Sequence, residues 1–527
     1  MEIYFFILCA AAYLWAVFMN ALTQTHIFQL NSYHPVRQLK WIGTNLGSVA
    51  SNIYAVAFAA VALYIGRISG VSFSVGNVIQ ILFVGAFVMF ALSDIPKKKA
   101  KKPLVFTARV KRLLFTYMVL HLLIVAGAAV LYILLERSSW HFASLFLGYT
   151  AAPLLLLLSN GINAPAEAAV RRHYVRDAKG ILQDCPDLKV IGITGSYGKT
   201  SMKYFLTTLL RQKYNVLMTP ESYNTPMGVV KTVREQLRGY HEIFVCEMGA
   251  KKTGEIRELC DIVKPQLGII TSIGPQHLES FKSMENIVNT KYELADAVGG
   301  KVFLNTDNEL IAARLPDGCI RYGTGENTDY RAQVVSVSRK GTAFTVTYPD
   351  GGCHAFQTIL IGAHNVVNLC GAVAMADFLG VPPEDIRQGL RRIQPVPHRM
   401  QLLEKGPALI IDDAFNSNPS GCKAALEAMA LFSEYKILVT PGMVELGEQE
   451  EALNETFGTQ AAGVCDFVIA VGQRRAGPIL AGLAKAGYPK EQTYVAKDLA
   501  DAMQKAYSIE TARKKVILLE NDLPDNY

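Results

Sequence analysis

The chain has 527 residues, half of them hydrophobic, and a formal net charge of +7. That length has room for about three domains. Residues 1–160 carry 12 Lys and Arg against 3 Asp and Glu, whereas the remainder carries 40 against 42. Because the basic excess is confined to apolar sequence, we expect no nucleic-acid partner. The nine cysteines include no Cys-x-x-Cys pair, which argues against a disulfide framework or a zinc site.

Five apolar stretches lie before residue 163, and none contains Asp, Glu, Lys or Arg. They are residues 3–22, 45–66, 71–93, 113–135 and 142–162. Each is long enough to cross about 30 Å of hydrocarbon. A cleaved signal peptide would explain only the first, and no small-residue cleavage pattern follows it. Residues 1–162 are therefore predicted to form an α-helical transmembrane domain of about five helices.

The loops between these stretches alternate in charge. One set contains only Arg67 and Arg137. The other set contains Arg37, Lys40, the Lys97–Lys102 cluster, Arg109, Lys111, Arg112, Arg171, Arg172 and Arg176. By the positive-inside rule, the N-terminus lies outside and the residues after 162 lie in the cytoplasm of a multi-pass plasma-membrane protein. The Lys97–Lys102 cluster could instead bind anionic lipid head groups.

After an amphipathic stretch at 163–183, short β-branched runs alternate with helical patterns. Strands are predicted at 188–194, 216–219, 242–247, 267–272 and 301–304, and helices at 199–213, 226–237, 253–262 and 284–298. This alternation predicts an α/β domain over 163–395 with a mostly parallel sheet. Within it, 328–361 reads as a small antiparallel insert, and a helix is expected at 364–379.

A second α/β domain, Rossmann-like, is predicted over 396–527. Its strands are expected at 408–413, 436–440, 466–471, 493–496 and 515–519, with helices between them.

A glycine turn follows the first predicted strand of the soluble part and opens a helix. It reads Gly195-Ser196-Tyr197-Gly198-Lys199-Thr200-Ser201. Backbone N–H groups of such a turn bind phosphate oxygens, a lysine adds a positive charge, and a hydroxyl can reach Mg²⁺. A full Walker motif would have glycine at Ile193. The alternative is a plain glycine turn with an exposed lysine.

Three further residues are candidate metal ligands at strand ends of the same sheet. Glu247 ends a strand, His277 follows the next strand, and Lys291 lies in the helix after it. The carboxyl ends of parallel strands meet at one crevice, where a carboxylate can hold Mg²⁺. Taken singly, a solvated glutamate and a hydrogen-bonded histidine are the ordinary alternatives.

Taken together, these segments resemble the Mur ligases, the ATP-dependent amide-bond ligases of peptidoglycan assembly. The resemblance covers about residues 188–450 in seven motifs that occur in the family's order. They are the glycine turn, Cys246–Ala250 with Gly254–Leu259, His277–Lys291, Gly362–Asn368, Pro395–Met400, Asp412–Pro419 and Pro441–Gly447. The last two are similar to the branch of the family that adds D-alanyl-D-alanine.

The resemblance implies a role for each matched residue. ATP phosphates would be bound by Gly195, Ser196, Tyr197, Gly198, Lys199, Thr200, Ser201 and Arg399, and the rest of the nucleotide by His364, Asn365, Asn368, Asp413 and Asn416. Thr200 and Glu247 would hold one Mg²⁺, while His277 and a carbamylated Lys291 would position a second. Lys199, His277 and Lys291 would be the catalytic residues. Carbamylation needs a neutral amine, hence a lowered pKa; a charged Lys291 would instead contact phosphate.

The implied reaction activates an acceptor carboxylate as an acyl phosphate, which an amine then displaces. The chain departs from the family in two places: a membrane domain replaces the UDP-sugar domain, and the end lacks a Lys-Gly-Ser-Arg-like segment. These are the regions that would recognise the two substrates. The resemblance implies a muramoyl peptide as acceptor, as a small molecule or lipid-linked, and D-Ala-D-Ala or a similar compound as the amine. The alternatives are a ligase for another cell-surface polymer, similar to polyglutamate synthases, and a non-catalytic membrane scaffold.

Overall fold

The computed structural model describes residues 2–67, 73–95, 103–134, 140–406, 408–415, 417–444, 446–472 and 476–522. The chain divides into two compact units, one ending at Arg172 and the other formed by His173–Asp522. The Lys97–Lys102 cluster lies outside the described residues.

The first unit is helical. Its helices are α1 (Glu2–Leu30), α2 (Pro35–Thr44), α3 (Ala50–Arg67), α4 (Phe73–Ser93), α5 (Ala108–Leu134), α6 (Trp140–Thr150) and α7 (Ala152–Gln183), with a 3₁₀ turn at Leu46–Val49. Helices thus occupy the described parts of all five predicted stretches. α7 continues without a break through residue 163, where the sequence predicts the end of the membrane domain, and that domain boundary stays a prediction.

By length and composition, three described helices could cross a membrane: Ile3–Leu30, Leu46–Ile65 and Ala108–Leu134. The pair α6 and α7 would add a fourth, but it bends by 66° at Ala151. Pro153, in the first turn of α7, is compatible with a helix start and unfavourable for a continuous helix. The apolar part of α4, Val78–Ser93, is shorter. Membrane crossing by five helices therefore stays a prediction.

The second unit begins with a nine-stranded sheet. Its strands are β1 (Lys189–Thr194), β2 (Val216–Met218), β3 (Ile243–Glu247), β4 (Leu267–Ile270), β5 (Val302–Asn305), β6 (Ile320–Gly323), β7 (Tyr330–Ser338), β8 (Gly341–Thr347) and β9 (Cys353–Thr358). The order is β2-β3-β1-β4-β5-β6-β7-β8-β9. β1 is central and parallel to both neighbours, and its apolar side chains are buried on both faces. The expected parallel sheet is confirmed.

Helices cover both faces of this sheet. They are α8 (Lys199–Leu210), α9 (Pro226–Gln236), α10 (Glu255–Val263), α11 (Leu278–Phe281), α12 (Met284–Ala297), α13 (Glu309–Ala312), α14 (His364–Phe378) and α15 (Pro383–Arg392). The hairpins of β7, β8 and β9 are antiparallel, as predicted. However, β7 pairs in parallel with β6, a strand that we did not predict, so these hairpins extend the main sheet and are not a separate insert.

A six-stranded sheet follows. Its elements are β10 (Gln401–Lys405), β11 (Ala408–Asp413), α16 (Pro419–Ala430), β12 (Tyr435–Thr440), α17 (Glu450–Ala462), β13 (Phe467–Val471), α18 (Ala476–Lys485), β14 (Thr493–Ala496), α19 (Leu499–Ser508) and β15 (Lys515–Glu520). The order is β10-β11-β15-β12-β13-β14, and all pairs are parallel except β10 with β11. The five predicted strands are present, and β10 is an addition.

Candidate active site

The glycine turn lies between β1 and α8, at the carboxyl edge of the first sheet. Gly195 and Gly198 have φ values of 148° and 78°, which side chains with a Cβ rarely adopt. The turn is braced by the segment after β4, since Ser196 Oγ donates to the Gly274 carbonyl at 3.0 Å and Tyr197 Oη to that of Pro275 at 2.8 Å. The predicted glycine turn between a strand and a helix is therefore present, and phosphate binding by it stays a prediction.

Lys199 folds back over the turn that it follows. Its Nζ donates to the backbone carbonyls of Gly195 at 2.6 Å and Ser196 at 2.9 Å. Burial lowers the pKa of Lys199 to about 8, partly opposed by Glu247. The ammonium is thus held against the loop that would receive the phosphates.

Thr200 and Glu247 meet as expected for a shared metal site. Thr200 Oγ1 donates to Glu247 Oε1 at 3.1 Å, and Arg399 Nη2 donates to Thr200 Oγ1 at 3.2 Å. Burial raises the pKa of Glu247, but the charges of Lys203 and Lys199 outweigh burial and lower it overall. Glu247 therefore carries a negative charge at a buried site.

Two residues that we did not predict hold Glu247 in place. The fully buried ammonium of Lys203 lies 3.0 Å from Glu247 Oε2 and also donates to the backbone carbonyl of Glu221. Asn224 Nδ2 donates to Glu247 Oε1 at 3.0 Å. Lys203 lies one helical turn after Lys199, so its spacing was an available signal, whereas nothing in the loop sequence marked Asn224.

His277 and Lys291 lie on the segments after β4. His277 precedes α11 with a φ of 53°, and Lys291 lies in α12 with 2% of its surface exposed. Burial and then the charge of Lys199 lower the pKa of Lys291 well below its usual value. Among the residues that the structure describes, no three His, Cys, Asp or Glu side chains converge as a metal cluster. The placing of a second metal by these two residues stays a prediction.

The start of α14 lies against the glycine turn. A Cβ added at Gly198 would come within 2.9 Å of Asn368 Oδ1. His364 is the first residue of α14, and burial lowers its pKa to about 4, so its imidazole is neutral. Asn365 Nδ2 donates to the Ile361 carbonyl at 3.0 Å, which secures the start of the helix. Ser201 lies in the first turn of α8.

The loop before β10 contributes Arg399, and the end of β11 contributes Asp413. The guanidinium of Arg399 lies over the ring of Phe415, 4.6 Å from its centroid. Asp413 Oδ1 accepts a hydrogen bond from the Met400 backbone N–H at 3.1 Å. Burial raises the pKa of Asp413 to about 6. Asn416, the remaining predicted nucleotide ligand, lies outside the described residues.

Two family profiles match the second unit. The Mur ligase middle domain matches residues 193–376, and the Mur ligase glutamate ligase domain matches residues 398–520. The UDP-N-acetylmuramoyl-tripeptide–D-alanyl-D-alanine ligase of Bacillus subtilis is 34% identical over 286 residues, covering 53% of this chain and 62% of its own length. The Escherichia coli ligase of that name is 31% identical, covering 54% and 65%. The chain thus spans less than two thirds of these relatives.

Solved structures agree with the sequence matches. MurF from Acinetobacter baumannii superposes with a TM-score of 0.59 at 27% identity, covering 67% of this chain and 77% of that one. MurF from Thermotoga maritima, solved in complex with ADP, gives 0.59 at 25% identity, covering 67% and 80%. The chain therefore belongs to the Mur ligase family. Its residues 193–376 form the middle domain of that family, and its residues 398–520 form the glutamate ligase domain.

Proposed function

We propose that this protein is a membrane-attached, ADP-forming ligase that joins an amine to a carboxylate in peptidoglycan synthesis. The supporting observation is the assembly around the glycine turn. Lys199 Nζ contacts the turn itself at the Gly195 carbonyl, 2.6 Å away, and Thr200 Oγ1 contacts Glu247 at 3.1 Å and Arg399 at 3.2 Å. The relatives named above act on a UDP-muramoyl-tripeptide and D-alanyl-D-alanine, as their names state. We assign the same acceptor class and amine to this chain.

The residues present fit Mg²⁺ and ATP. Mg²⁺ prefers oxygen ligands, and Glu247 with the Thr200 hydroxyl offers two that already lie 3.1 Å apart. A bound Mg²⁺ would neutralise phosphate charge at this edge of the sheet. Lys199 and Arg399 would share that task, because a carboxylate and a triphosphate repel each other unless cations lie between them. The acceptor carboxylate would then attack the γ-phosphate, and ADP would leave.

We further propose that Lys291 is carbamylated. Its burial and the neighbouring charge of Lys199 favour the neutral amine, which is the form that adds carbon dioxide. Carbon-13 bicarbonate should give a carbamate NMR signal in the wild type that is absent in Lys291→Arg. Adding bicarbonate should also raise turnover of the wild type only. A signal of equal size in Lys291→Arg would place the carbamate elsewhere and contradict this assignment.

The membrane attachment rests on the apolar helices of the first unit and on the charge pattern of their loops. We expect the full chain to stay with the membrane pellet after carbonate extraction. Protease added outside sealed cells should leave the second unit intact. Release into the carbonate supernatant, or digestion from outside, would contradict the proposed attachment or orientation.

A lipid-linked acceptor is the second candidate substrate. It is favoured by an apolar groove of about 570 Å³ between α5 and α6, lined in part by Gly127, Ala128 and Gly148. Small residues also serve close helix packing, and this is the simpler explanation for Gly148, where an added Cβ would come within 2.6 Å of Tyr13 Oη.

An assay of phosphate release from ATP, run with detergent-purified protein and Mg²⁺, distinguishes the two candidate acceptors. UDP-muramoyl-tripeptide and its lipid-linked counterpart would be offered in parallel, each with D-Ala-D-Ala. Turnover with the UDP form makes the first unit an anchor, whereas turnover with the lipid form alone makes it part of the acceptor site. If neither acceptor supports phosphate release, the assignment to muramoyl peptides is contradicted and another cell-surface polymer is favoured as the substrate.

A further inference from the structure

An arginine without an acidic partner lies at the start of α5, in the first unit. The Arg109 guanidinium packs over the ring of Tyr33, 3.9 Å from its centroid, and its Nη2 donates a long hydrogen bond of 3.4 Å to Asn160 Oδ1 on α7. Among the described residues it forms no ion pair with a carboxylate. Arg112, one turn further along α5, pairs with both carboxylate oxygens of Glu167 at 2.7 and 3.0 Å, so the charge of that glutamate is already neutralised.

Two buried donor atoms at this contact of α5 with α7 lack an acceptor. Arg109 Nε and Asn163 Nδ2 are shielded from solvent, and neither has a hydrogen-bond partner in the part of the chain that the structure describes. Asn163 lies one turn after Asn160, and its Oδ1 accepts from Thr116 Oγ1 at 2.9 Å, which leaves its amide hydrogens over. Buried N–H groups nearly always have an acceptor. Unmet donors beside an uncompensated positive charge therefore indicate a site for an anion.

The end of α1 holds the arginine in place. The Gln29 amide exchanges two hydrogen bonds with the backbone of Val105, both of 3.0 Å, which fixes the segment before α5 against α1. Tyr33 follows α1 with a φ of 58°, a conformation that few tyrosines adopt, and its ring lies against the guanidinium. Arginines at the ends of membrane helices ordinarily extend toward water. Arg109 is instead half-buried and oriented by its neighbours.

The side chains around this site suit an anion that is attached to hydrocarbon. Val105 and Phe106, directly before α5, and Phe115, within it, are each more than half exposed. Large apolar side chains that are exposed together are unfavourable in water and suit a lipid surface. The charge pattern of the loops also places this end of α5 at the cytoplasmic leaflet, where basic pockets between membrane helices bind anionic head groups.

We propose that Arg109 and Asn163 bind the phosphate group of a membrane lipid. A guanidinium presents a planar fork of N–H donors that matches two phosphate oxygens, and the Asn163 amide adds a further donor. Two kinds of lipid have this chemistry: an anionic phospholipid, and an isoprenoid diphosphate such as a lipid-linked acceptor would carry. The inference rests on the proposed membrane attachment, and with the second lipid it gives the lipid-linked acceptor a binding group in the first unit.

Native mass spectrometry of the full chain in detergent tests this site. The probes are geranylgeranyl diphosphate, dioleoylphosphatidylglycerol and dioleoylglycerol, which has no phosphate, each added over a range of concentrations. The wild type should retain at least one of the two phosphate lipids at concentrations where it does not retain dioleoylglycerol. Arg109→Gln should weaken that binding by about tenfold or more, the usual effect of losing a hydrogen bond to a charged group. Arg109→Lys keeps the charge without the fork, so we expect a loss of about threefold.

Lys111→Gln is the matched control, because it removes one positive charge from an exposed position of the same helix and should leave lipid binding within about twofold. Tighter binding of the diphosphate supports the acceptor lipid as the occupant, and equal or tighter binding of phosphatidylglycerol supports a phospholipid. Equal retention of dioleoylglycerol, or equal losses in Arg109→Gln and Lys111→Gln, would overturn the site. Lipid binding needs no turnover, so a failure of the ligase activity appears only in phosphate release, and a failure of membrane attachment only in carbonate extraction.

Discussion

Replacing Lys199 with Ala is expected to lower acceptor-dependent ATP turnover by about a hundred- to a thousand-fold, the effect of removing one charged group from a preorganised phosphate site. The Lys199 ammonium lies against the glycine turn, held by two backbone carbonyls, and α8 is buried along its apolar face. The fold should therefore survive the change. Phosphate release measured over a range of ATP concentrations checks the prediction.

Lys301→Ala is the matched control for Lys199→Ala. The Lys301 ammonium also donates to a backbone carbonyl, that of Gly318 at 2.8 Å, but it is exposed and far along the chain from the glycine turn. Its variant should turn over ATP as the wild type does. A wild type without ATP turnover, indistinguishable from Lys199→Ala, would support a non-catalytic scaffold and contradict our account.

Glu247→Gln is expected to reduce turnover about 100-fold or more and also to destabilise the second unit. The amide can still accept the hydrogen bond of Asn224, but it is a poor Mg²⁺ ligand and no longer neutralises Lys203. Breaking a buried ion pair by removing one partner costs about 3–5 kcal/mol, because it leaves a buried charge uncompensated. Thermal unfolding in detergent would show the loss as a lower Tm.

A double variant separates the two effects of Glu247→Gln. Adding Lys203→Met removes the uncompensated charge, so much of the stability should return while turnover stays low. Glu235→Gln breaks the exposed pair with Lys231 and should change neither property. If the double variant is as unstable as Glu247→Gln, or if it recovers turnover, Glu247 is not the metal ligand held by Lys203 that we propose.

Much of the second unit could be predicted because its signals are local. The run before Gly195, the glycine turn and the helix after it are consecutive in the sequence, and each has a preference that needs no distant partner. The same holds for the hairpin turns around Gly341 and Gly351. The strand ends that carry Glu247 and Asp413 followed from the parallel topology.

The missed features depend on distant partners. β6 and β10 are short, and their pairing with β7 and β11 gives them their strand geometry. Lys203 looks like a solvated lysine until β3 brings Glu247 to it. Pro153 could have predicted the helix break at Ala151. The sequence on both sides of it is continuously apolar, however, and therefore favoured a single helix. Asn224 takes its role only from its folded neighbours.

The central claim is that the acceptor carboxylate becomes an acyl phosphate at the glycine turn. The most direct test uses acceptor whose reacting carboxylate is labelled with oxygen-18, together with ATP, Mg²⁺ and D-Ala-D-Ala. Since the carboxylate oxygen that attacks the γ-phosphate leaves with it, the account predicts one oxygen-18 atom in each released phosphate, as measured by mass spectrometry. Unlabelled phosphate released together with the amide product would contradict it.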